Sequence, residues 1–246
     1  MSESDDDVRV LKVGGGVLTD KSGYEELNEG SFALVMDLLA DSKPEHLVLV
    51  HGAGSYGHPH VNQFGVENAG AVLRVRRGVE TLNERVVGEL IERGVKAVSV
   101  HPGSFSVSGE QGIEVPGGVI SGLLSSGYTP VLHGDCFVSE SGGFDVVSGD
   151  EIVTGVGSNF DVSVGLCTMT DGVLDNDGNP VPEVNAVDGF PDLGVDGVDV
   201  TGGMESKVRE LLNSRNGGWI FGMTELREFL ETGKPVRGTH VVSGKD

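Results

Sequence analysis

The sequence predicts an α/β fold in which a largely parallel sheet is covered by helices on both faces. Two observations carry that prediction. Short β-branched runs alternate with helically spaced apolar patterns from one end of the chain to the other, the mark of repeated βαβ units. No long linker, internal repeat or break in composition divides the 246 residues, so a single domain over 1–246 is expected, a size at which one large core can form.

Residues 8–13 read as a first strand that stops at Gly14-Gly15-Gly16, 31–39 as a helix, and 47–50 as a buried strand running into His51-Gly52-Ala53-Gly54-Ser55-Tyr56-Gly57-His58. Val79, Leu82, Val86 and Leu90 recur at helical spacing and predict a helix over 79–91, with Gly94 as its C-cap. Strands are predicted at 97–100 and 129–132, separated by a helix over 116–124 with Pro116 in its first turn. Ser141-Gly142-Gly143 turns a hairpin over 137–147. A helix at 151–157, a strand at 162–167 and a second hairpin around Asp175-Asn176-Asp177-Gly178 come next, and the Gly- and Asp-rich stretch 187–200 reads as loop. A helix at 204–212, an extended piece at 219–221, a helix at 224–230 and a strand at 236–241 complete the chain.

Thirty-eight Asp and Glu against 17 Lys and Arg leave a formal charge of −21. That excess opposes docking on nucleic acid or an anionic membrane, both of which need clustered cations. The acid is spread along the chain, and lysine is scarce, standing only at Lys12, Lys21, Lys43, Lys96, Lys207, Lys234 and Lys245. The pattern reads as adaptation to a salty cytosol, where salt screens carboxylate repulsion; the alternative is an acidic protein of ordinary salt. Cys136 and Cys167 form no C-x-x-C pair and no metal spacing, which argues against a disulfide framework or a zinc ribbon. The opening Met-Ser-Glu-Ser-Asp-Asp-Asp has no basic or apolar signal character, and no apolar stretch nears the ~20 residues of a membrane helix. A cytoplasmic protein is expected.

Three glycine-rich turns follow strands or open helices: Lys12-Val13-Gly14-Gly15-Gly16, the segment from His51 to His58, and Thr201-Gly202-Gly203-Met204 before Lys207. Residues without Cβ let backbone N–H groups approach an anion closely, and helix N-termini favour negative charge. Glycine turns are common in α/β loops, so each alone says little. Together with Lys12, Lys21 and Lys207 in a lysine-poor chain, they point to polyphosphate binding and phosphoryl transfer. Gly52-Ala53-Gly54-Ser55-Tyr56-Gly57 also spells the dinucleotide fingerprint G-x-G-x-x-G. That fingerprint wants a helix at once and then a second strand with an acid ~20 residues on, whereas here Pro59 and a polar stretch to Gly70 intervene. No Walker A loop and no H-R-D catalytic loop is present.

The motifs Leu11-Lys12-Val13-Gly14-Gly15, Thr19-Asp20-Lys21, Val50-His51-Gly52-Ala53-Gly54-Ser55-Tyr56-Gly57-His58-Pro59, His133-Gly134-Asp135, Val147-Ser148-Gly149-Asp150-Glu151, Thr170-Asp171-Gly172-Val173 and Asp199-Val200-Thr201-Gly202-Gly203-Met204 run in order over 11–207. In this the chain resembles the amino acid kinase superfamily and, within it, the archaeal type of isopentenyl phosphate kinase, to which His58 gives the more specific likeness. The resemblance implies a three-layer αβα sandwich, with a phosphate acceptor in an N-terminal lobe of about 1–160 and Mg-ATP in a C-terminal lobe of about 161–246. It implies that Lys12 and Lys21 face the β- and γ-phosphates, that Lys207 holds the nucleotide end, and that Asp150 keeps the lysines oriented. Gly14, Gly15, Gly16 and Gly54 would lend the ATP-binding backbone, Thr170, Asp171 and Gly202 would border the nucleotide, and Ala53 and Gly149 would line the acceptor site. His58 would hydrogen-bond the acceptor phosphate. Gly16 departs from a frequent Ser and Ala53 from a usual Gly.

A phosphomonoester is already an anionic nucleophile and needs no general base, so a histidine at the acceptor is best used as a donor that positions it. His51 and His133, at strand ends, are expected to tie loops by hydrogen bonds, and a metal site from His58 and His60 lacks a third ligand. The expected reaction is ATP-dependent, in-line phosphorylation of isopentenyl phosphate to isopentenyl diphosphate, with Mg²⁺ bridging the nucleotide phosphates. The alternatives are a kinase for another small phosphate, phosphonate or carboxylate, of fosfomycin, glutamate or nucleoside monophosphate type, and a nucleotide-binding sensor without turnover. A homodimer is expected from the resemblance.

Overall fold

The computed structural model of the protein describes residues 8–42, 44, 46–110, 112–175, 177–185 and 203–244. In chain order the elements are β1 (Val8–Val13), α1 (Gly15–Leu18), α2 (Glu29–Ser42), β2 (His46–His51), α3 (His58–Phe64), α4 (Ala69–Glu92), β3 (Ala97–Ser99), β4 (Val107–Gly109), β5 (Gly112–Ile113) and α5 (Gly117–Ser125). They continue with β6 (Thr129–His133), β7 (Asp135–Ser139), β8 (Phe144–Val147), α6 (Gly149–Phe160), β9 (Val164–Thr168), β10 (Glu183–Val184), α7 (Gly203–Asn213), β11 (Gly218–Gly222), α8 (Leu226–Thr232) and β12 (Thr239–Val241).

Eight strands form one sheet in the order β10-β12-β11-β9-β1-β2-β6-β3, parallel except for the β11–β12 pair. Successive side chains of a strand face opposite sides, and β1 uses both. Val8 and Val10 pack with Ile152, Val156 and Leu211 of α6 and α7. Leu11 and Val13 pack with Phe32, Leu82 and Phe229 of α2, α4 and α8. Near-continuous apolar strands are what a sheet buried on both sides requires, and each fully buried Val, Leu or Phe stabilises by roughly 1.5–3 kcal/mol. The result is the three-layer α/β architecture expected. A second sheet, β5-β4-β7-β8, lies outside this one and contains the hairpin predicted around Ser141-Gly142-Gly143.

The structure corrects several expected boundaries. The helix predicted from 79 begins at Ala69, capped by the Asn68 side chain, which accepts from Ala71 N. Its buried stripe runs back through Val75, Val72 and Ala71. The stretch after Pro59, read as intervening where the fingerprint wants a helix at once, is itself helical as α3, because proline in a first turn gives up an N–H that has no helical partner anyway. A helix therefore does follow the G-x-G-x-x-G after a 3-10 turn at Gly54–Tyr56. What separates it from a dinucleotide fold is topology: the next strand, β3, lies at the far edge of the sheet, with β6 between it and β2.

The final strand starts at Thr239 instead of 236, since the N–H groups of Val236 and Arg237 donate to Glu225 Oε2 and so leave no ladder there. The second hairpin is a single antiparallel bridge between Leu174 and Pro180. The predicted loop at 187–200 lies outside the described residues.

Candidate active site

In an open α/β sheet, ligands bind beyond the carboxyl ends of strands where the strand order reverses. Here that point is β1, which has β2 on one side and β9 on the other. Two of the glycine turns close on each other there. Gly14 N donates to Cys167 O at 2.9 Å and Gly52 N to Val13 O at 2.9 Å. A Cβ on Gly15 would fall on the backbone of Gly54, and one on Gly52 would fall on that of Gly15. Only glycine permits this approach, and at Gly54 the φ of +50° adds a second reason. Gly15 and Gly16 open α1, and Ala53 and Gly54 open the 3-10 turn, so their N–H groups have no acceptor in those turns.

Lys12 continues the Val8–Val10 row of β1 and so enters the core on the α6 side, where it is 6% exposed. Its Nζ lies 2.7 Å from Asp150 Oδ1, and Lys207 Nζ reaches Asp150 Oδ2 at 3.5 Å. Lys207 also donates to Gly203 O at 3.3 Å. Gly149 makes room for this cluster: a Cβ there would stand 3.0 Å from Lys12 Cε. Asp150 itself sits in the first turn of α6, which a Ser148–Glu151 capping box begins, so the helix dipole favours its charge. Burial pushes the Lys12 ammonium below its ordinary pKa, the charge of Lys207 adds to that, and Asp150 only partly opposes it. Burial would raise Asp150, but the two lysines outweigh it and hold the carboxyl below the usual range. Two cations on one anion leave a net positive pocket inside a protein of charge −21.

Lys21 is exposed, yet its chain lies over the first glycine turn, with Cε only 2.8 Å from where a Gly16 Cβ would be. The departure at Gly16 thus leaves Lys21 its path. Thr19, to which sequence reasoning assigned no role, bridges the two turns: its Oγ1 donates to Gly15 O at 2.8 Å and accepts from Ser55 N at 3.0 Å. Its place between an apolar α1 and the acidic Asp20 was the available signal.

His58 is exposed at the first position of α3. His60 is buried instead, with Nε2 2.8 Å from Glu25 Oε1 and Nδ1 3.3 Å from Tyr24 Oη. Among the described residues no group of three or more His, Cys, Asp or Glu could hold a metal. Ala53 precedes the 3-10 turn in right-handed helical backbone, φ −74°, which a Cβ tolerates. Thr170 and Asp171 follow β9, where Thr168 Oγ1 donates to Thr170 O at 2.8 Å and Asp171 pairs with Arg237 at 3.6 Å. Gly202 lies outside the described residues.

A family model described as the amino acid kinase family matches residues 7–218. The chain is 38% identical over 243 residues to the isopentenyl phosphate kinase of Haloferax volcanii, covering 93% of this chain and 98% of that one. It is 31% identical over 230 residues to the isopentenyl phosphate kinase of Methanothermobacter thermautotrophicus, covering 82% and 85%. A solved isopentenyl phosphate kinase superposes with a TM-score of 0.80 at 25% identity, over 96% of this chain and 100% of that chain. With its glycine turns at the switch point of the sheet and most of its length matched, the chain belongs to the amino acid kinase family.

Proposed function

We propose that this chain is an ATP-dependent kinase that converts isopentenyl phosphate to isopentenyl diphosphate. The observation that carries the reading is the Lys12–Asp150–Lys207 cluster at the N-terminus of α6, with Lys12 and Asp150 buried and Lys207 partly exposed, beside the strand that ends in the paired glycine turns. Moving a phosphoryl group between two anions needs concentrated positive charge and fixed N–H dipoles more than it needs a base. The curated relatives named above supply the substrate class.

In this reading the acceptor binds toward the part of the chain up to about 160, with His58 donating to its phosphate and Ala53 and Gly149 lining its site. The nucleotide lies toward 161–246, bordered by Thr170, Asp171 and Gly202, with Lys207 at its phosphates. An acceptor phosphate oxygen attacks the γ-phosphorus in line, the bond to the bridging oxygen breaks, and ADP departs. Lys12, Lys21 and the N–H groups of Gly15 and Gly54 neutralise the charge that spreads over the transferring group. Asp150 has both oxygens turned to lysines and serves to orient them, not to take a proton. Magnesium would enter with the nucleotide and would supply further neutralisation of its phosphates. The reading extends to a salt-adapted, cytoplasmic homodimer. The scarcity of lysine at a charge of −21 supports salt adaptation, and no described helix is long and apolar enough to cross a membrane.

ADP release, followed over a panel of isopentenyl phosphate, acetylglutamate, a nucleoside monophosphate and a phosphonate at low and molar salt, tests this directly. Release with isopentenyl phosphate alone is expected. His58→Ala should lower kcat/KM for that acceptor by about 10²–10³-fold, the scale of one lost transition-state donor, with ATP binding intact. Wild-type turnover in that variant sinks the role of His58, and ATP binding without release from any acceptor sinks the kinase.

A further inference from the structure

Strands β2 and β6 end on two histidines that the parallel register sets side by side, His51 against His133. Both are buried. Each turns Nδ1 back on the carbonyl of the glycine that follows it, His51 on Gly52 O at 3.2 Å and His133 on Gly134 O at 2.9 Å. A carbonyl oxygen can only accept, so both Nδ1 atoms carry the hydrogen. The neutral ring is then an acceptor at Nε2, and each Nε2 meets a donor: Asn83 Nδ2 at 3.1 Å from His51, and His101 Nδ1 at 2.9 Å from His133.

Asn83 is wholly buried on α4, and its Oδ1 has no hydrogen-bond partner among the described residues. Turning the amide over would set that oxygen against the His51 Nε2 lone pair. A buried acceptor is therefore left unsatisfied so that a donor can face His51, an arrangement that native structures seldom keep without a reason.

In a trans peptide the C=O and N–H point in opposite directions. A Gly52 carbonyl held toward the His51 ring sends the Ala53 N–H the other way. We infer that His51 is a positioning residue for phosphoryl transfer: through Nδ1–H, in the tautomer that Asn83 selects, it holds the Gly52–Ala53 peptide with the Ala53 N–H presented to the acceptor phosphate. The inference rests on the proposed reading of this turn as the acceptor site. Burial, then the neighbouring His133, push the His51 pKa down to about 3, with Lys12 adding to this and the Gly52 bond opposing it, so the ring stays neutral at working pH.

The test compares His51→Asn, whose amide nitrogen can replace Nδ1–H, with His51→Leu, which has no donor. For His51→Leu, kcat/KM for isopentenyl phosphate should fall by about 10²-fold while KM for ATP stays near wild type. His51→Asn should recover at least tenfold of that loss. If His51→Leu does not fold, His51→Gln takes its place, since it keeps an acceptor for Asn83 but places no donor at the Nδ1 position. Equal losses in the donor and donor-free variants at matched melting temperature overturn the inference, as does wild-type kcat/KM in a folded donor-free variant. Wild-type protein that releases no ADP from isopentenyl phosphate overturns the functional reading, and with it this one.

Discussion

On the α6 face of the sheet, β1 buries Lys12 against a carboxylate at 2.7 Å; on the α4 face, β2 buries His51 against an amide at 3.1 Å. Both residues stand near the carboxyl end of a central strand, and both lie beside a glycine turn. The first contact is between full charges, which a core tolerates only when they are paired and which a phosphate ligand can exploit. The second is between neutral groups, which cannot stabilise a moving charge strongly but can fix where a backbone dipole points. In the proposed reading, one face supplies field and the other supplies aim.

Substitutions should separate the two. Lys12→Met strikes the charged face hardest. In the proposed reading it removes a transition-state cation, and it leaves Asp150 only the longer contact to Lys207 at 3.5 Å, so a loss of at least about 10³-fold in kcat is expected, with up to roughly 3 kcal/mol of stability read from the urea midpoint. Adding Asp150→Leu should return most of the stability and none of the activity; recovery of both would show that Lys12 only packs.

A smaller effect is expected from acid. Asp150 titrates below its unfolded value near 4, so its contribution to folding is complete above that pH and is lost as pH falls through the lowered pKa. The melting temperature gap between wild type and Asp150→Asn should be open at about pH 5 and narrow below about pH 4. A gap that stays the same into strong acid would mean that the carboxylate is not held by the lysines.

The smallest effect belongs to the neutral face. Asn83→Leu removes the unsatisfied oxygen but takes the donor from the buried His51 Nε2, so one unsatisfied acceptor replaces another and the melting temperature should stay near that of wild type, while kcat/KM for the acceptor drops severalfold. A parallel loss of both would make Asn83 an ordinary core residue.

Much of this was legible before any coordinates. The apolar runs at 8–13, 47–50 and 129–132 had to be strands buried on both faces, and scarce lysines beside glycine turns pointed to the region proposed here to bind phosphate. The start of α4 was hidden by polar Asn62, Gln63 and Asn68, although Val72 and Val75 already continued the stripe of Val79 and Leu82. Strands β4 and β5 have three and two residues, too few to show a period. The function of Asn83 was half visible, as a polar side chain on the apolar stripe of a helix. Its partner could not be read, because nothing in the order of residues says that 83 and 51 meet.

The depth of the Lys12–Asp150 contact has an evolutionary consequence. Dissolved ions cannot come between two groups that water scarcely reaches, so ionic strength acts on the outer carboxylates and spares the inner attraction. The chain has in effect two electrical compartments under separate control. The outer one can drift with the salinity of the surroundings, residue by residue, without retuning the chemistry beneath the glycine turns.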